Sequence, residues 1–451
     1  MTTIDEFMAR LGDHPQREAM IWRGHAYSFS DLLALIAVHR KRFAEAGLVP
    51  GSVVAIEGDF SPAGVAALLA VLTSRSVAVP LTASVARKSA EFCETAGVQW
   101  IIAVDQDDQV SLRATPRQAA HELIAQLRAD QHPGVVLFTS GSAGQCKGVV
   151  HDADLLLRKY LRPRHCLRTL AFLLFDHIGG LDTLFYNLAN GSCLVAVSSR
   201  LPDAICAAVE SHRVEVLPVS PSFINLLLLS GAQQRYNLSS LQVITYGAEV
   251  MPESTLARLC KALPQARVLQ KFGTTEIGTL RSHSMSSDSV WVRIGGEGYQ
   301  TRVVEGMLQI KAESAMLGYL NAPSPFTEDG WFITGDRVEV DGDYYRILGR
   351  QSDQINVGGQ KVDPTEVEGA LIDLENIRDV AVYGKQNPIL GQTVAARFEL
   401  VHGEEVPSLR RRVREHCQGR LAAYKIPSEI EIVQGPLYGA RMKKKRSAPE
   451  S

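Results

Sequence analysis

The chain has 451 residues and a nearly balanced charge, with 47 Lys and Arg against 49 Asp and Glu and a formal net charge of −2. A chain of this length exceeds one hydrophobic core, so at least two domains are expected. The balanced charge gives no electrostatic basis for nucleic acid as the main partner. The most apolar windows, at 65–72 and 170–175, are far too short to span a membrane.

The cysteines and the first residues indicate the compartment. Seven cysteines are scattered without a C-x-x-C pair, which is typical of free thiols in a reducing environment. Residues 1–6 show no basic stretch followed by an apolar one, so no secretory signal is predicted. We therefore expect a cytoplasmic protein, either a monomer or a homodimer.

Strands and helices alternate along the first half of the chain. Short apolar runs predict strands at 53–56, 77–80, 100–104 and 134–138, and an Ala- and Leu-rich stretch predicts a helix at 62–74. Further strands are predicted at 192–198, 214–219 and 241–246, each after a helical pattern. Such alternation is typical of mostly parallel sheets covered by helices, and it indicates two β/α subdomains.

The pattern changes after residue 290. Short alternating strands with turns predict a small β-barrel-like part up to residue 350, including a hairpin at 341–345. A smaller α+β segment follows, with helices predicted from Pro364 and at 408–421. The predicted fold class is therefore α/β, with a large N-terminal domain (residues 1–350) and a small C-terminal domain (residues 351–451).

The most informative segment is a loop that follows the strand at 135–138. Residues 139–148 (TSGSAGQCKG) contain three hydroxyl side chains, three glycines and a lysine. Glycines let backbone N–H groups approach phosphate oxygens, hydroxyls donate hydrogen bonds and lysine supplies charge, so the loop suits a polyphosphate. It lacks the Gly-Lys-Ser/Thr ending of a Walker A loop. On these residues alone, a polar turn rich in small residues remains the alternative.

The loop resembles the phosphate loop T-S-G-S/T-T-G-x-P-K-G of the adenylate-forming superfamily. This superfamily comprises acyl-CoA synthetases, the adenylation domains of nonribosomal peptide synthetases and luciferases. Two positions differ, because Ala143 replaces the usual threonine and Cys146 the usual proline. The resemblance implies ATP binding by Thr139, Ser140, Gly141, Ser142, Gly144 and Lys147.

Two later segments resemble the nucleotide site of the same superfamily. Residues 246–249 (YGAE) are similar to the segment that lines the adenine pocket, and residues 272–276 (FGTTE) to Y-G-x-T-E. The resemblance implies that Phe272 packs on adenine, that Thr275 meets the α-phosphate and that Glu276 helps to hold Mg²⁺. The implied ATP-binding set also includes Gly247, Ala248, Glu249, Gly273 and Thr274.

Residues 330–336 (GWFITGD) resemble G-W-x-x-T-G-D, and residues 349–368 resemble G-R-x-x-D-x-I-x-x-x-G-x-x-x-x-P-x-E-V-E. The resemblance implies that Asp336 accepts hydrogen bonds from the ribose and that Arg350 contacts ribose and phosphate. It implies a hinge at Ser352, about which a mobile C-terminal domain rotates. Gly358 and Gly359 would then border the entry channel of the thiol.

A catalytic lysine is implied near the C-terminus. The family pattern P-x-T-x-x-G-K-x-x-R is matched least well, at 436–446, and counting back from Arg446 selects Lys443. Lys444 and Lys445 are the alternatives, and Met442 stands where glycine is usual. On charge alone, the basic run 443–446 is typical of a solvated tail.

The acid site is implied by residues 173–180 (LLFDHIGG), which resemble the F-H-x-G-G segment of acyl- and aryl-CoA synthetases. His177 would lie near the carboxylate end of the acid pocket. In the alternative register, Asp176 matches the aspartate that holds the substrate ammonium in amino-acid adenylation domains. Small and apolar residues at 218–226 and 248–251 predict an uncharged acyl or aryl group.

These resemblances imply an enzyme that uses ATP and Mg²⁺ to convert a carboxylic acid to an acyl-AMP and then transfers the acyl group to CoA. Its catalytic residues would be Lys443, Glu276, Thr275 and His177. A carrier-protein phosphopantetheine or an amine is the alternative acceptor. A non-catalytic nucleotide-binding homologue is the alternative outside the enzymes, because Ala143, Cys146 and the lysine segment depart from the family pattern.

Overall fold

The computed structural model describes residues 2–140, 146–439 and 442–446. A first seven-stranded sheet has parallel central strands and antiparallel edges. Its strands lie in the order Gly318–Tyr319, Cys146–Asp152, Gly134–Ser140, Val77–Leu81, Val53–Glu57, Trp100–Val104 and Val110–Ala114. A second seven-stranded sheet is parallel apart from one edge hairpin. Its order is Arg267–Gln270, Val243–Tyr246, Val216–Val219, Thr169–Ala171, Leu194–Ala196, Glu18–Trp22 and His25–Ser28.

One hydrophobic core lies between the two sheets. It joins Val54 and Ala78 of the first sheet to Met20 and Leu194 of the second. The helix Pro62–Thr73 lies within this core, and its residues 62–72 are all buried. Such a helix is apolar on all sides because none of its faces meets solvent. The other helices of the large domain are Thr3–Leu11, Phe29–Glu45, Ser89–Thr95, Glu122–Asp130, Ala153–Arg158, Ile178–Ala189, Pro202–His212, Pro221–Ser230, Ala232–Arg235 and Glu253–Ala262, with 3₁₀ turns at Ala83–Lys88 and Lys159–Leu161.

A six-stranded antiparallel sheet forms the predicted barrel-like part. Its strands lie in the order Ser282–Ser284, Trp291–Ile294, Tyr344–Arg350, Phe332–Asp341, Met307–Ala312 and Tyr299–Val304. A two-stranded ribbon, Gly273–Thr274 with Gly278–Thr279, precedes it. The small domain has the strands Gln360–Val362, Ile355–Val357, Gly391–Leu400, Ile377–Asn387 and Glu429–Ile432, the helices Pro364–Leu371 and Val406–Cys417, and 3₁₀ turns at Gln351–Asp353 and Ala423–Lys425.

The predicted α/β class, with a large N-terminal and a small C-terminal domain, is confirmed, although several element bounds differ. The strand predicted at 192–198 is limited to Leu194–Ala196, and the helix predicted at 408–421 is Val406–Cys417. That helix begins earlier because a proline occupies its first turn, where no N–H partner is needed. In the described part of the chain, no helix has both the length and the apolar character that crossing a membrane requires.

Candidate active site

The strands around the phosphate loop are held by a residue far along the chain. Antiparallel pairing sets Thr139 opposite Lys147. The side-chain amide of Asn321 makes two hydrogen bonds to the backbone of the strand Cys146–Asp152. Its Oδ1 accepts from the Gly148 N–H (3.0 Å) and its Nδ2 donates to the Cys146 carbonyl (2.9 Å). Outside the described residues lie Gly141, Ser142, Gly144 and the side chain of Ser140.

Glu276 and Thr275 are positioned by groups outside their own motif. The Tyr319 hydroxyl donates to Glu276 Oε1 at 2.8 Å, and Lys147 Nζ lies 4.9 Å from the centre of the Tyr319 ring. His151 is buried, which lowers its pKa and favours the neutral imidazole. Its Nε2 therefore donates to the Thr275 carbonyl at 2.6 Å. The Glu276 carboxylate and the Lys147 ammonium thus both contact Tyr319.

The segment predicted to line the adenine pocket follows the strand Val243–Tyr246. A side chain at Gly247 would lie 2.6 Å from the Lys271 carbonyl oxygen, so this position requires glycine. Ala248 has φ +69°, a conformation that costs energy for a residue with a Cβ. Such strain at the end of a parallel strand is typical of a ligand site.

The second half of the predicted nucleotide site lies against the six-stranded sheet. Phe272 is 7% exposed and packs with Ile294 and Phe332, while Gly273 pairs with Thr279. The hydroxyl of Thr274 is buried and has no hydrogen-bond partner within the described residues. An unpaired buried donor is costly, so this hydroxyl suits a ligand atom.

Asp336 lies opposite Arg350 in the sheet register, with Arg350 Nε 3.5 Å from Asp336 Oδ1. Burial raises the pKa of Asp336 to about 6, although the charges of Arg350 and Lys443 oppose the rise. Glu276 adds to the rise by repulsion. Asp336 is thus influenced by the charges of four groups, Glu276, Arg350, Asp353 and Lys443.

Lys443 reaches a small cavity at the end of the second sheet. Its apolar lining consists of Phe172, Leu173, Leu174, Ala248 and Met442, and its polar lining of His177, Arg200, Ser220 and Lys443. The cavity measures about 10 Å³, close to the space that one water molecule needs. Binding of an acid therefore requires some of these side chains to move.

The two candidate acid-site residues face different ways. His177 caps the helix Ile178–Ala189, since its Nδ1 accepts a hydrogen bond from the Gly179 N–H at 3.1 Å. Asp176 is buried, and its Oδ2 accepts from the Thr82 hydroxyl of the other sheet at 2.9 Å. A side chain at Gly180 would collide with the Leu174 carbonyl oxygen, so the backbone before this helix can approach the helix this closely only at a glycine. His177 lines the cavity, whereas Asp176 ties the two sheets together.

The three lysines near the C-terminus have three different environments. Lys443 lines the cavity, and Lys445 is exposed. Lys444 is mostly buried, with 13% of its side chain exposed, and its Nζ donates to Asp379 Oδ1 and to the Val380 carbonyl, each at 2.8 Å. The expectation of a solvated tail for 443–446 is therefore wrong, because burial of Lys444 is compensated by an ion pair and hydrogen bonds.

The small domain docks on the large one through this same segment. Glu249 Oε1 accepts from the Lys444 N–H at 2.7 Å, and the Ser220 hydroxyl donates to the Met442 carbonyl at 2.7 Å. Arg337 contributes a further link, since its Nη1 lies 3.1 Å from both carboxylate oxygens of Asp363. The docked arrangement is what carries Lys443 to the cavity.

The predicted hinge and acceptor residues lie away from the cavity. Ser352 is exposed in the 3₁₀ turn Gln351–Asp353, next to Arg350. Gly358 and Gly359 form an exposed turn of the small domain, where the Gly358 N–H donates to the Leu390 carbonyl at 2.9 Å. In this arrangement the turn does not line the cavity formed by the described residues.

Comparisons with known proteins agree with this geometry. The family model described as AMP-binding enzyme matches residues 7–308, and that described as AMP-binding enzyme C-terminal domain matches residues 366–443. The first match covers well over half of the chain. The chain belongs to the AMP-binding enzyme family. The predicted resemblance to adenylate-forming enzymes is thereby confirmed.

Individual relatives of this AMP-binding enzyme are distant. The 2-succinylbenzoate–CoA ligase of Bacillus cytotoxicus is 28% identical over 323 residues, which cover 65% of this chain and 65% of the relative. Across three such relatives the alignments span 63 to 67% of the relative's length. The anthranilate CoA ligase AuaEII has the same fold, with a TM-score of 0.82, 19% identity and coverage of 99% of this chain and 96% of that one. The amide bond synthetase McbA from Marinactinospora thermotolerans also has this fold, with a TM-score of 0.76 and 21% identity. The match covers 99% of this chain and 98% of that one.

The donor set of the AMP-binding enzyme fits Mg²⁺ only together with a bound polyphosphate. Glu276 offers one carboxylate oxygen beyond the one that Tyr319 engages. No group of three or more His, Cys, Asp or Glu side chains within the described residues forms a metal site. Mg²⁺ is commonly held by one or two carboxylates with substrate phosphates, so a single carboxylate beside a phosphate loop is sufficient.

Four residues of this site were missed by the sequence analysis, namely His151, Arg200, Tyr319 and Asn321. Tyr319 and Asn321 lie on or beside a two-residue edge strand, which is too short to give a periodic signal. His151 and Arg200 belong to segments that no motif covers. Only the folded chain brings them to the site.

Proposed function

We propose that this chain activates a carboxylic acid with ATP to an acyl-AMP and then transfers the acyl group to the thiol of CoA. The observation that supports it best is the pairing of Arg350 with Asp336, whose Nε and Oδ1 atoms lie 3.5 Å apart, at a carboxylate that the charges of Glu276 and Lys443 also influence. Such a set suits a nucleotide whose ribose and phosphates must both be oriented.

In the first step, a carboxylate oxygen of the acid attacks the α-phosphorus of ATP. A P–O bond forms to the acid while the bond to the bridging oxygen breaks, and pyrophosphate leaves. Lys443 would stabilise the developing charge, and Thr139, Lys147 and Thr275 would orient the phosphates. Mg²⁺ held by Glu276 would neutralise phosphate charge. The remaining ATP contacts are proposed as in the family pattern, with Asp336 and Arg350 on the ribose.

In the second step, the CoA thiol attacks the acyl carbon and AMP leaves with the electrons of the broken C–O bond. We propose that residues 351–451 rotate about Ser352, which withdraws Lys443 and brings Gly358 and Gly359 to the thiol channel. The exposure of both Ser352 and the glycine turn supports this motion, because neither is tied into the large domain in the described residues. A carrier-protein phosphopantetheine or an amine is the alternative acceptor, and the fold is shared with an amide bond synthetase.

The deciding experiment is acid-dependent exchange of labelled pyrophosphate into ATP. We expect exchange with at least one acid from a panel of aliphatic, aromatic and dicarboxylic acids. CoA, a phosphopantetheinylated carrier protein and simple amines are then tested as acceptors of the acyl group. ATP binding without exchange for any acid would favour a non-catalytic nucleotide-binding protein.

The seven free cysteines support the proposal of a cytoplasmic location. The oligomeric state, a monomer or a homodimer, stays a prediction.

A further inference from the structure

We propose that the acid taken by this site carries a second negatively charged group, and that Arg200 binds that group. The inference rests on the proposed function, because it names the class of acid for the same site. It replaces the expectation of an uncharged acid that the small and apolar residues at 218–226 and 248–251 suggest. It depends on the charges, contacts and size of the cavity that Lys443 lines.

The charges around this cavity do not balance for an acid with a single carboxylate. The described lining contains two cations, Arg200 and Lys443, and no Asp or Glu. The reacting carboxylate and the α-phosphate supply negative charge for Lys443. Arg200 then faces the apolar side chains of Phe172 and Leu174, while its carboxylate partner among the described residues, Asp59, lies outside this lining. A charge that is only weakly compensated at an apolar wall is costly.

The existing partners of Arg200 leave most of its hydrogen-bonding capacity available. Within the described residues, Nε donates to the Phe172 carbonyl at 2.6 Å and Nη2 lies 3.4 Å from Asp59 Oδ2. These contacts engage two of the five N–H donors of a guanidinium. The Asp59 side chain is 44% exposed, against 15% for Arg200, and an ion pair with so exposed a partner is weak.

The contact with the Phe172 carbonyl fixes the guanidinium at the cavity wall. A planar fork held in this way suits a carboxylate or a sulfonate, which accept two parallel hydrogen bonds. Arg235 provides a comparison, because it also binds one carbonyl and one carboxylate. Its ion pair with Asp203 is shorter, at 2.6 Å, and Arg235 lies outside the cavity and is 50% exposed.

The closeness of Arg200 and Lys443 limits the spacing of the two anionic groups. The same space of about 10 Å³ is lined by Lys443 and by Arg200. Phe172 and Leu174 belong to the buried core, so the space cannot widen on their side without loss of packing. A short spacer between the reacting carboxylate and the second anion therefore fits best.

The test compares acids in pairs of equal chain length, using pyrophosphate exchange by the full-length protein. Malonate is compared with propionate, and succinate with butyrate. We expect kcat/KM to be higher for the diacid in each pair by about 10- to 100-fold, the range for hydrogen bonds to a charged group. Arg200→Met should abolish this preference by raising KM for the diacid, and Arg200→Lys should restore part of it.

Two control variants separate ligand binding from a structural role. Asp59→Asn removes the present partner of Arg200, so it should leave the preference for the diacid unchanged or increase it. Arg235→Met should leave the preference unchanged, because Arg235 lies outside the cavity. Thermal unfolding of each variant checks that the fold is kept.

The possible results distinguish this inference from the proposed function. If the wild-type protein exchanges with monocarboxylic acids as well as with diacids, the function stands and the role of Arg200 is overturned. The same follows if Arg200→Met lowers kcat/KM equally for both members of a pair. If no acid supports exchange although ATP binds, both the proposed function and this inference are overturned.

Discussion

The carboxyl group of Asp336 is almost fully withdrawn from solvent. Burial raises its pKa to about 6, from an ordinary value of about 3.9, so the free protein holds a proton there at a pH where most carboxyl groups have lost theirs. A carboxylate accepts hydrogen bonds from ribose hydroxyls more strongly than a neutral carboxyl does. We therefore expect KM for ATP to rise as the pH falls through about 6, measured in the exchange assay.

Asp336→Asn provides the control for this pH dependence. The amide keeps an acceptor but neither titrates nor carries charge, so KM for ATP should be about tenfold higher at neutral pH. It should also stay constant over the pH range in which the wild-type value changes. A wild-type KM that is flat through this range would argue against a ribose contact at Asp336.

Lys443 is expected to act in the first half-reaction alone. Lys443→Ala should slow formation of acyl-AMP by about 10²- to 10³-fold, the usual cost of removing one group that stabilises transition-state charge. Transfer from preformed acyl-AMP to CoA should be nearly unchanged, because the proposed rotation withdraws the lysine in that step. The two half-reactions are measured separately by pyrophosphate release and by thioester formation.

Lys445→Ala is the matched control, since Lys445 is exposed and does not line the cavity. It should leave both half-reactions unaffected. Lys444→Ala should instead destabilise the protein, because it leaves Asp379 buried without its ion-pair partner. Equal losses in both half-reactions for Lys443→Ala would contradict its assigned role.

At the scale of elements, one side chain joins the edge strand Gly318–Tyr319 to the phosphate loop. Asn321→Ala leaves the Gly148 N–H and the Cys146 carbonyl without their partner. An unsatisfied buried group costs about 1–3 kcal/mol, so the free energy of unfolding should fall by about that amount. Affinity for ATP should also fall, because the strand that closes the loop loses its support. Chemical denaturation and calorimetric titration with ATP measure the two effects.

Asn376 allows a matched comparison in the small domain. It makes the same two-sided contact, donating to the His402 carbonyl at 3.0 Å and accepting from the His402 N–H at 2.7 Å. Asn376→Ala should therefore lower stability without changing the affinity for ATP. An equal loss of ATP affinity in both variants would show that Asn321 acts only through general stability.

At the scale of the whole molecule, docking of the small domain determines where Lys443 lies. The Arg337–Asp363 pair joins the two domains, so Arg337→Met should reduce the docked population and slow acyl-AMP formation several-fold. The run 443–446 should become more accessible to trypsin, which limited proteolysis detects. Arg302→Met is the control, because the Arg302–Asp329 pair lies within the large domain. If both variants are cleaved at the wild-type rate, the Arg337 contact does not control docking.

Much of the fold could be predicted because the local signals are strong. The apolar runs at 53–56, 77–80 and 100–104 are strands. In the first two, four or five consecutive buried residues suit a parallel sheet with both faces covered. The edge hairpin Glu18–Trp22 with His25–Ser28 was not predicted, because its outer strand has no buried residue and so no clear alternation.

The sequence by itself determined the family, the fold class and the motif residues, because backbone chemistry at a phosphate loop or a tight turn needs particular residues in a local order. The tertiary structure alone decided which of three adjacent lysines lines the cavity, and that Asp176 faces Thr82 rather than this space. It alone brought Arg200, Tyr319 and Asn321 to the site. Such choices depend on burial and charge contributed by segments far apart in the chain, which no local pattern records.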